Sequence, residues 1–550
     1  MITEDIEILL SNDLRACKSN SISDILLQDI DNILLDRKNE ISNEVILIYK
    51  KFAPIKQETP ENMTFELFNA MKNYMKEMFS DKNYIDALFI ARFLMVKSEL
   101  APVTYVEIAD ILLKIKQKDL AHEFMKIYKT KETNKPLGLL TIANFYNIGL
   151  EDYKTAIKYY EKYLLIDETK AVIYTIVGSL YAKAYGDFSL KDQIYYYERA
   201  YKLQPQDKLI LFSLALAYEK YENKDMANKY YSELIQNNPT DADYYNYGAF
   251  LISCGELKKG HEYLTHRFNI KNNINLKYPI PEKYAKWDFK TDISQKTLLV
   301  HYEQGFGDTI MYCRFLPQLK KIAGKIIFVV QDNLYDLIKN SLVISDGIEI
   351  ISDKNDISTI EYNYDMALLD TPYVLGTDKN NIPYANGYLT VSEDKIQKYE
   401  NLNIKKSENL KIGIAYKGSS TANYQGRDLD ISRFENILNI SGIDFYSFSM
   451  TNEIRNNKIT PLAETFDNFT DTACAIKNMD IIISTDNVIL NLAGALGIKT
   501  YGLFNKQPNF RWFQLKGENV GWYNSVKALQ VETKDYWFPV LEKLFKILSQ

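Results

Sequence analysis

The chain has 550 residues, of which 46% are hydrophobic and 25% are charged, the balance of an ordinary soluble, folded protein. This length exceeds what one hydrophobic core supports and predicts two to four domains. The net charge of −6 argues against a general nucleic-acid-binding protein, which is usually basic, so no nucleic-acid partner is expected. No apolar run approaches the roughly 20 residues needed to cross a bilayer, so no transmembrane segment is expected.

The N-terminal stretch is acidic and lacks the basic, apolar and small-residue order of a secretory signal. The chain's 4 cysteines are scattered without CxxC spacing, which indicates neither a disulfide framework nor a structural zinc site. A cytoplasmic location is the simplest expectation. Residues 1–67 are helical in pattern and are predicted to form a separate N-terminal segment.

Residues 68–277 contain a repeated pattern of small, aromatic and proline positions. In the stretch from Leu209 to Ala242, small and aromatic residues recur in two helical segments and Pro239 closes the unit. A period of about 34 residues with these positions is typical of tetratricopeptide repeats. Equivalent units are predicted to begin near Leu137, Ala171, Lys208 and Ala242, with a short insertion at a helix–helix turn, Tyr185–Leu190.

Stacked helix pairs of this kind form a long concave surface that binds an extended peptide or another protein. The small residues are expected to let paired helices approach closely. The many tyrosines are expected mainly to pack between the helices. The occupant of the groove is not identified by this pattern.

The second half alternates short apolar runs with helical stretches, which predicts βαβ units and mainly parallel sheets. A polar stretch, 393–410, divides this half in two. We therefore predict two Rossmann-like domains, 278–395 and 408–550, after the helical repeats. Strands are predicted at Thr297–Tyr302, Lys325–Val330, Ile348–Ile351, Asp365–Leu369, Lys411–Tyr416, Ile443–Met450, Met479–Thr485 and Lys499–Phe504.

The first candidate site is the corner "EQGFGD" after the first of these strands. Gly305 and Gly307 are expected to allow a sharp turn and a close backbone approach. Asp308 then stands where a helix begins, so it is either a helix N-cap or a functional carboxylate. The spacing is not GxGxxG, and a dinucleotide fingerprint is absent.

The second candidate site follows the strand that ends near Tyr416. Lys417, Gly418, Ser419 and Arg427 combine positive charge, hydroxyls and backbone amides, which together suit a phosphate. The alternative interpretation is a solvated loop with ordinary surface charges.

The third candidate site follows the strand that ends at Thr485. Ser484, Thr485, Asp486 and Asn487 precede a helix whose free N–H groups and dipole favour an anion. Asp486 would suit a hydroxyl-rich ligand such as a sugar or ribose.

The stretches "HYEQGFGDTIMYCRFLPQL", "IGIAYKGS", "NFTDTACAIKNMDIIISTDNVILNLAGALGIKTYGLF" and "NFRWF" occur in this order after the repeats. Together they resemble bacterial tetratricopeptide-repeat glycosyltransferases, whose catalytic half is similar to the heptosyltransferases of glycosyltransferase family 9. The resemblance implies a GT-B fold and inverting transfer of a sugar, a heptose or a related one, from a nucleotide-sugar donor to a protein such as a flagellin or adhesin. It also implies that no metal and no cofactor is needed.

The resemblance further implies individual roles. Asp308 would take the proton of the acceptor hydroxyl, and Lys417 would offset the charge on the departing diphosphate. The donor would be bound by residues of all three corners: Gly305, Gly307, Gly418, Ser419, Arg427, Ser484, Thr485, Asp486, Asn487 and Asn491.

Related sequences tend to carry tryptophan where Tyr416 stands and histidine where Asn491 stands, so ADP, UDP, GDP and CMP all stay open as the donor nucleotide. Two other functions also stay open. One is transfer to a glycan or lipid, and the other is a non-catalytic adaptor that keeps a relic GT-B half. The oligomeric state is open as well, a homo-oligomer included.

Overall fold

The computed structural model describes residue 10 and residues 24–52, 65–97, 100–270, 285–418, 428–449, 458–513, 515, 519–533 and 535–550. The chain divides into two compact units, Met1–Ala217 and Tyr218–Gln550.

The first unit is built from helices in antiparallel pairs. Gly178 shows why the predicted small residues are needed, since a Cβ there would lie 2.5 Å from the Tyr197 ring on the partner helix. The insertion lies at a helix–helix turn, as predicted, and forms the short 3₁₀ helix Gly186–Ser189. The helices are α1 Asp24–Asp36, α2 Asn43–Phe52, α3 Phe65–Ser80, α4 Tyr84–Lys97, α5 Pro102–Lys114, α6 Lys118–Glu132, α7 Pro136–Asn144, α8 Tyr153–Leu164, α9 Ala171–Tyr185, α10 Leu190–Leu203 and α11 Lys208–Lys220, the last of which runs into the second unit.

The second unit begins with more helices of the same kind: α12 Lys224–Gln236, α13 Asp241–Ser253 and α14 Leu257–Leu264. Thr240 and Asp243 form a capping box that starts α13. Helices α7, α9, α11 and α13 begin within one residue of the predicted unit starts, which confirms the repeat period.

The first α/β domain holds a five-stranded sheet in the order β1-β5-β2-β3-β4, and every neighbouring pair is parallel. Its strands are β1 Ala285–Lys286, β2 Thr297–His301, β3 Lys325–Val330, β4 Ile348–Ser352 and β5 Tyr364–Ala367. Its helices are α15 Phe306–Cys313, α16 Leu316–Lys320, α17 Asp332–Lys339 and α18 Thr371–Val374. Helix α19 Glu393–Asn403 follows them and contacts the second α/β domain, where Asn478 Nδ2 donates to the Ile396 carbonyl at 3.3 Å.

The second α/β domain holds a six-stranded, all-parallel sheet in the order β11-β10-β9-β6-β7-β8. Counted from β6, this is the Rossmann order 3-2-1-4-5-6. The strands are β6 Leu410–Ala415, β7 Ile443–Ser447, β8 Ile459–Pro461, β9 Ile481–Thr485, β10 Thr500–Phe504 and β11 Val526–Gln530. The helices are α20 Glu435–Leu438, α21 Phe469–Lys477, α22 Val488–Ala495 and α23 Phe538–Leu548.

The predicted fold class, an α-solenoid followed by two Rossmann-like domains of the GT-B type, is confirmed by these elements and their strand orders. The last helical hairpin, α13–α14, shares its core with the α/β domains, because Ile252, Leu257 and Leu264 belong to the hydrophobic cluster that contains Tyr312 and Trp522. The boundary predicted between residues 277 and 278 lies outside the described residues.

Candidate functional site

Each sheet has one point where the strand order reverses, between β2 and β5 in the first and between β6 and β9 in the second. In open parallel sheets, ligands bind outside the carboxyl ends of the strands at such a point. The three candidate corners follow β2, β6 and β9. The fold therefore brings the second and third corners together at one reversal point.

At the first corner, Asp308 caps its own helix and also forms an ion pair. The Gly305 N–H donates to Asp308 Oδ2 at 3.2 Å, which satisfies one free amide at the start of α15. Asp308 Oδ1 lies 2.6 Å from Nε of Arg511, which follows β10 in the second α/β domain. Capping and a functional carboxylate are thus compatible in the same residue.

Neither glycine has the positive φ that glycine adopts more readily than other residues. Gly305 has an ordinary φ of −74°, and Gly307 is not among the glycines with positive φ. Gly307 does permit the predicted close approach, since a Cβ there would lie 3.1 Å from Asn491 Nδ2 and 3.8 Å from the Val488 Cα. Its small size lets α15 of the first domain pack against α22 of the second.

Burial raises the pKa of the Asp308 carboxyl above its ordinary value, and the negative charge of Glu303 acts in the same direction. The Arg511 guanidinium and the Gly305 amide oppose this rise without cancelling it. The Asp308 side chain is 19% exposed.

At the second corner, protein side chains already accept from the backbone amides that were predicted to hold phosphate. The Tyr416 and Lys417 N–H groups donate to Ser449 Oγ at 2.9 and 3.1 Å, and the Gly418 N–H donates to Asp428 Oδ1 at 2.9 Å. Lys417 is half-buried at the end of β6. The predicted Ser419 and Arg427 lie outside the described residues.

At the third corner, three of the predicted residues form a buried network that caps α22. Asn487 Oδ1 accepts from the Ile489 N–H at 2.9 Å and from Ser484 Oγ at 3.1 Å. Asn487 Nδ2 donates to Thr485 Oγ1 at 3.2 Å. The same amide reaches the Ala415 carbonyl at 3.5 Å and so links the ends of β6 and β9.

Two other predicted residues at this corner have partners from the segment that follows β10. Asp486 is half-buried, and its Oδ1 accepts from Trp512 Nε1 at 2.8 Å. Asn491 is buried, and its Oδ1 accepts from the Tyr523 hydroxyl at 3.1 Å. Of the residues predicted at the second and third corners, Lys417 and Asp486 are half-buried with charged side chains.

Arg511 and Trp512 are functional candidates that sequence reasoning did not single out. They are adjacent in the chain, and each contacts one candidate carboxylate, Asp308 on the first domain and Asp486 on the second. Arg511 Nη2 also donates to Gln304 Oε1, beside the first corner. The signal was the stretch "NFRWF", but its contacts are long-range and only the fold reveals them.

Within the described part of the chain, no group of three or more His, Cys, Asp or Glu side chains is arranged to hold a metal ion. Among the same residues, no helix is long and apolar enough to span a membrane.

No protein-family model matches the chain. Protein FlbA of Caulobacter vibrioides is 21% identical over 332 residues, which cover 54% of this chain and 53% of FlbA. The chain thus spans about half the length of this curated relative.

Solved structures of two kinds are similar to parts of the chain. The glycosyl transferase family 9 protein of Veillonella parvula is 11% identical over 46% of this chain and 91% of its own, with a TM-score of 0.34. MamA of Desulfovibrio magneticus, a tetratricopeptide-repeat protein, is 14% identical over 31% of this chain and 93% of its own, with a TM-score of 0.27. Each of these similarities covers less than half of the chain, and the fold rests on the elements and strand orders given above.

Proposed function

We propose that this chain is a glycosyltransferase that moves a sugar, a heptose or a related one, from a nucleotide-sugar donor to a hydroxyl group of a protein. The donor binds at the reversal point between β6 and β9, and the acceptor hydroxyl approaches Asp308 from the first domain. The transfer inverts the sugar's anomeric configuration and needs no metal ion.

The observation that carries this proposal is the pair Arg511–Trp512. Two adjacent residues contact Asp308 and Asp486, so the candidate base and the candidate donor ligand face one segment of the chain. Two Rossmann-like domains with their carboxyl edges joined in this way form a cleft suited to a two-substrate reaction.

In the proposed reaction, the acceptor oxygen attacks the anomeric carbon of the sugar. The new carbon–oxygen bond forms as the bond from that carbon to the phosphate oxygen breaks, and the nucleotide leaves with the electron pair. The acceptor proton passes to the Asp308 carboxylate, whose oxygens retain lone pairs beyond those used by Arg511 and Gly305. Lys417 at the end of β6 offsets the charge that develops on the leaving phosphate.

The repeats are proposed to recruit the protein acceptor. Support comes from an aliphatic residue at the second position of four successive alternate helices: Val103, Leu137, Val172 and Leu209 are 51%, 75%, 61% and 62% exposed. Val172 and Leu209 also line a cavity of about 240 Å³ with polar groups that include Asn147, Ser179 and Gln204. An apolar row with polar groups beside it suits an extended polypeptide.

A melting-temperature panel with ADP, UDP, GDP and CMP sugars tests the proposal at its first step. Binding to the native state raises the melting temperature, and the rise grows with the ratio of ligand concentration to Kd. One nucleotide class is therefore expected to raise the melting temperature more than the others. The selected donor is then incubated with the chain, and released nucleotide is measured. A chain that binds no nucleotide sugar and releases no nucleotide would favour the adaptor alternative.

A further inference from the structure

Arg267 is a buried arginine of the helical region that reaches into the first α/β domain. It lies in the 3₁₀ turn Thr265–Asn269, directly after α14, and is 1% exposed. Its Nε and Nη2 donate to the two carboxylate oxygens of Glu303 at 2.8 and 2.6 Å. Its Nη1 donates to Asp370 Oδ1 at 2.6 Å and to the Leu264 carbonyl at 2.8 Å.

Glu303 and Asp370 mark the reversal point of the first sheet. Glu303 follows the end of β2, Asp370 follows the end of β5, and they are 1% and 2% exposed. This is the place where an α/β domain ordinarily binds a ligand. Here the Arg267 guanidinium occupies it and joins the two strand ends.

The triad Arg267–Glu303–Asp370 is connected to the candidate base by a short series of contacts. Gln304, the residue after Glu303, accepts from Arg511 Nη2. Arg511 in turn pairs with Asp308 through its Nε. The charged groups that act on the Asp308 carboxyl are Arg511 and Glu303, which Arg267 holds in a two-pronged hydrogen bond.

An ion triad is a costly way to attach a helical hairpin. Removing three charges from water is unfavourable, and apolar side chains of similar volume often hold an interface equally well or better. The hairpin already has such contacts, since Ile252, Leu257 and Leu264 share the core, and His261 Nε2 lies 3.1 Å from the Tyr312 hydroxyl on α15. The guanidinium additionally fixes the orientation of the Glu303 side chain, because its planar group donates two parallel hydrogen bonds to the carboxylate.

We propose that Arg267 is a positioning residue for sugar transfer: it fixes Glu303, and with it the corner 303–308, so that Asp308 meets the acceptor hydroxyl in the reactive geometry. This inference rests on the proposed function. It means that the last turn of the helical region belongs to the catalytic apparatus as well as to acceptor recruitment.

The test uses the full-length chain with the nucleotide sugar that the melting panel selects. The variants are Arg267→Lys, Arg267→Gln and the double variant Arg267→Gln/Glu303→Gln. The matched control is Arg92→Lys, since Arg92 is also buried and pairs with Asp31 through Nε–Oδ1 at 2.6 Å, but it belongs to the first unit. Nucleotide release gives kcat and KM from pH 5 to 9, and a melting curve accompanies each variant.

We expect Arg267→Lys and Arg267→Gln to lower kcat by roughly 10- to 100-fold, because a misplacement of about 1 Å can cost about that much. The KM for the donor should change little, since the donor corner lies on the second sheet. In Arg267→Gln, Glu303 loses its partner, and its charge raises the pKa of Asp308 further, so the acidic limb of the rate profile moves to higher pH. In the double variant that limb should return toward the wild-type position.

Arg92→Lys should lower the melting temperature and leave kcat unchanged at temperatures well below it. The inference is overturned if Arg267→Lys keeps the wild-type kcat. It is overturned as well if kcat falls no further in the Arg267 variants than in Arg92→Lys, when each variant is measured at the same temperature difference below its own melting temperature. It is also overturned if the acidic limb does not move in Arg267→Gln. Should Arg267→Gln fail to fold, Arg267→Lys, which retains the charge, decides through its kcat. A wild-type chain that neither binds a nucleotide sugar nor releases nucleotide would instead refute the proposed function.

Discussion

The two parallel sheets have related topologies and use their reversal points differently. In the first sheet, the crevice between β2 and β5 holds the buried triad Arg267–Glu303–Asp370. In the second, the crevice between β6 and β9 has a buried cap network at its base and half-buried charged side chains, Lys417 and Asp486, beside it. One edge is filled by the protein itself, while the other keeps charged groups within reach of a ligand.

The comparison of the two reversal points shows that strand order indicates where a ligand can bind, while the side chains at that place decide whether it does. Both edges satisfy the topological rule. The second combines that position with the half-buried charged side chains of Lys417 and Asp486, and we therefore place the nucleotide there and the acceptor hydroxyl at Asp308.

The largest expected effect tests the role of the first edge. Asp308→Asn keeps an oxygen that can cap α15 but removes the base, so transfer should fall by roughly 10²–10⁴-fold. Donor affinity should change little. Single-turnover transfer rates and a binding titration measure the two quantities.

Arg511→Lys is the control for the lost ion pair, because it disturbs the contact with Asp308 and keeps the carboxylate. A near-normal rate in Asp308→Asn would return Asp308 to a capping role alone. Glu303 would not replace it as the base, since its carboxylate is buried and held by Arg267.

The second edge is tested through Asp486. Asp486→Asn still accepts from Trp512 Nε1 but loses the charge, and charge-assisted hydrogen bonds contribute about 1.5–3 kcal/mol, so nucleotide-sugar affinity should fall roughly 10- to 100-fold. Isothermal titration with the selected donor measures the change.

Asp444→Asn is the matched control, because Asp444 lies at the amino end of β7 and accepts from Asn409 Nδ2 at 3.2 Å. If both variants lost affinity equally, the donor would not be bound at the carboxyl edge. If neither did, Asp486 would serve only to fix Trp512.

A third prediction concerns recruitment, which we assign to neither edge. In the double variant Val172→Glu/Leu209→Glu, two exposed aliphatic side chains become charged. Burial of one such side chain contributes about 1.5–3 kcal/mol, so transfer to the protein acceptor should fall roughly tenfold or more.

Nucleotide release without acceptor should stay constant in that variant. Phe188→Glu is the control, since Phe188 is an exposed apolar residue on the 3₁₀ turn, outside the apolar row. An equal loss of transfer in both variants would mean that added surface charge in general, and not the change in the apolar row, weakens binding of the acceptor.

The smallest expected effect is a shift in pH dependence. Arg511 lowers the pKa of Asp308, so Arg511→Gln should raise it further. The ionised base is present only above that pKa, and the acidic limb of the rate profile should therefore move to higher pH while the rate at alkaline pH is affected least. Arg511→Lys, which keeps the charge, should shift the acidic limb less. An unshifted limb in Arg511→Gln would mean that the acidic limb does not report the titration of Asp308.

Local patterns sufficed to predict the repeats and the main strands. Lys325–Val330 matches β3 at both ends, and the predicted repeat starts agree with the helices, because apolar periodicity and small residues are local signals. Strands β1, β8 and β11 were not predicted, and the two residues of β1, Ala285–Lys286, are too few to show a pattern. Ile459–Pro461 is too short to show a pattern, and Val526–Gln530 contains Lys527 and Gln530 among its apolar residues.

The candidate site was less accessible to sequence reasoning. Asp308 and Asp486 could be singled out because strand ends and helix starts are visible in the sequence. The partners Arg511, Trp512 and Arg267 could not, since each contact joins distant parts of the chain. The close approach predicted for the glycines is found at Gly307, but the sequence could not show that Gly307 faces Asn491, nor that Gly305 has a φ that any residue adopts.

The anchoring of the last helical hairpin sets a rule for engineering this protein. The ring centroids of its Tyr245 and Phe510 lie 6.4 Å apart, its His261 contacts the Tyr312 hydroxyl, and Arg267 follows it, so α13–α14 is packed as part of the α/β half. A chimera that exchanges repeats to redirect acceptor choice should be joined before Thr240, at the loop that precedes α13. A junction placed after residue 270 would join foreign helices to α/β domains that have lost their contacts with α13–α14 and Arg267.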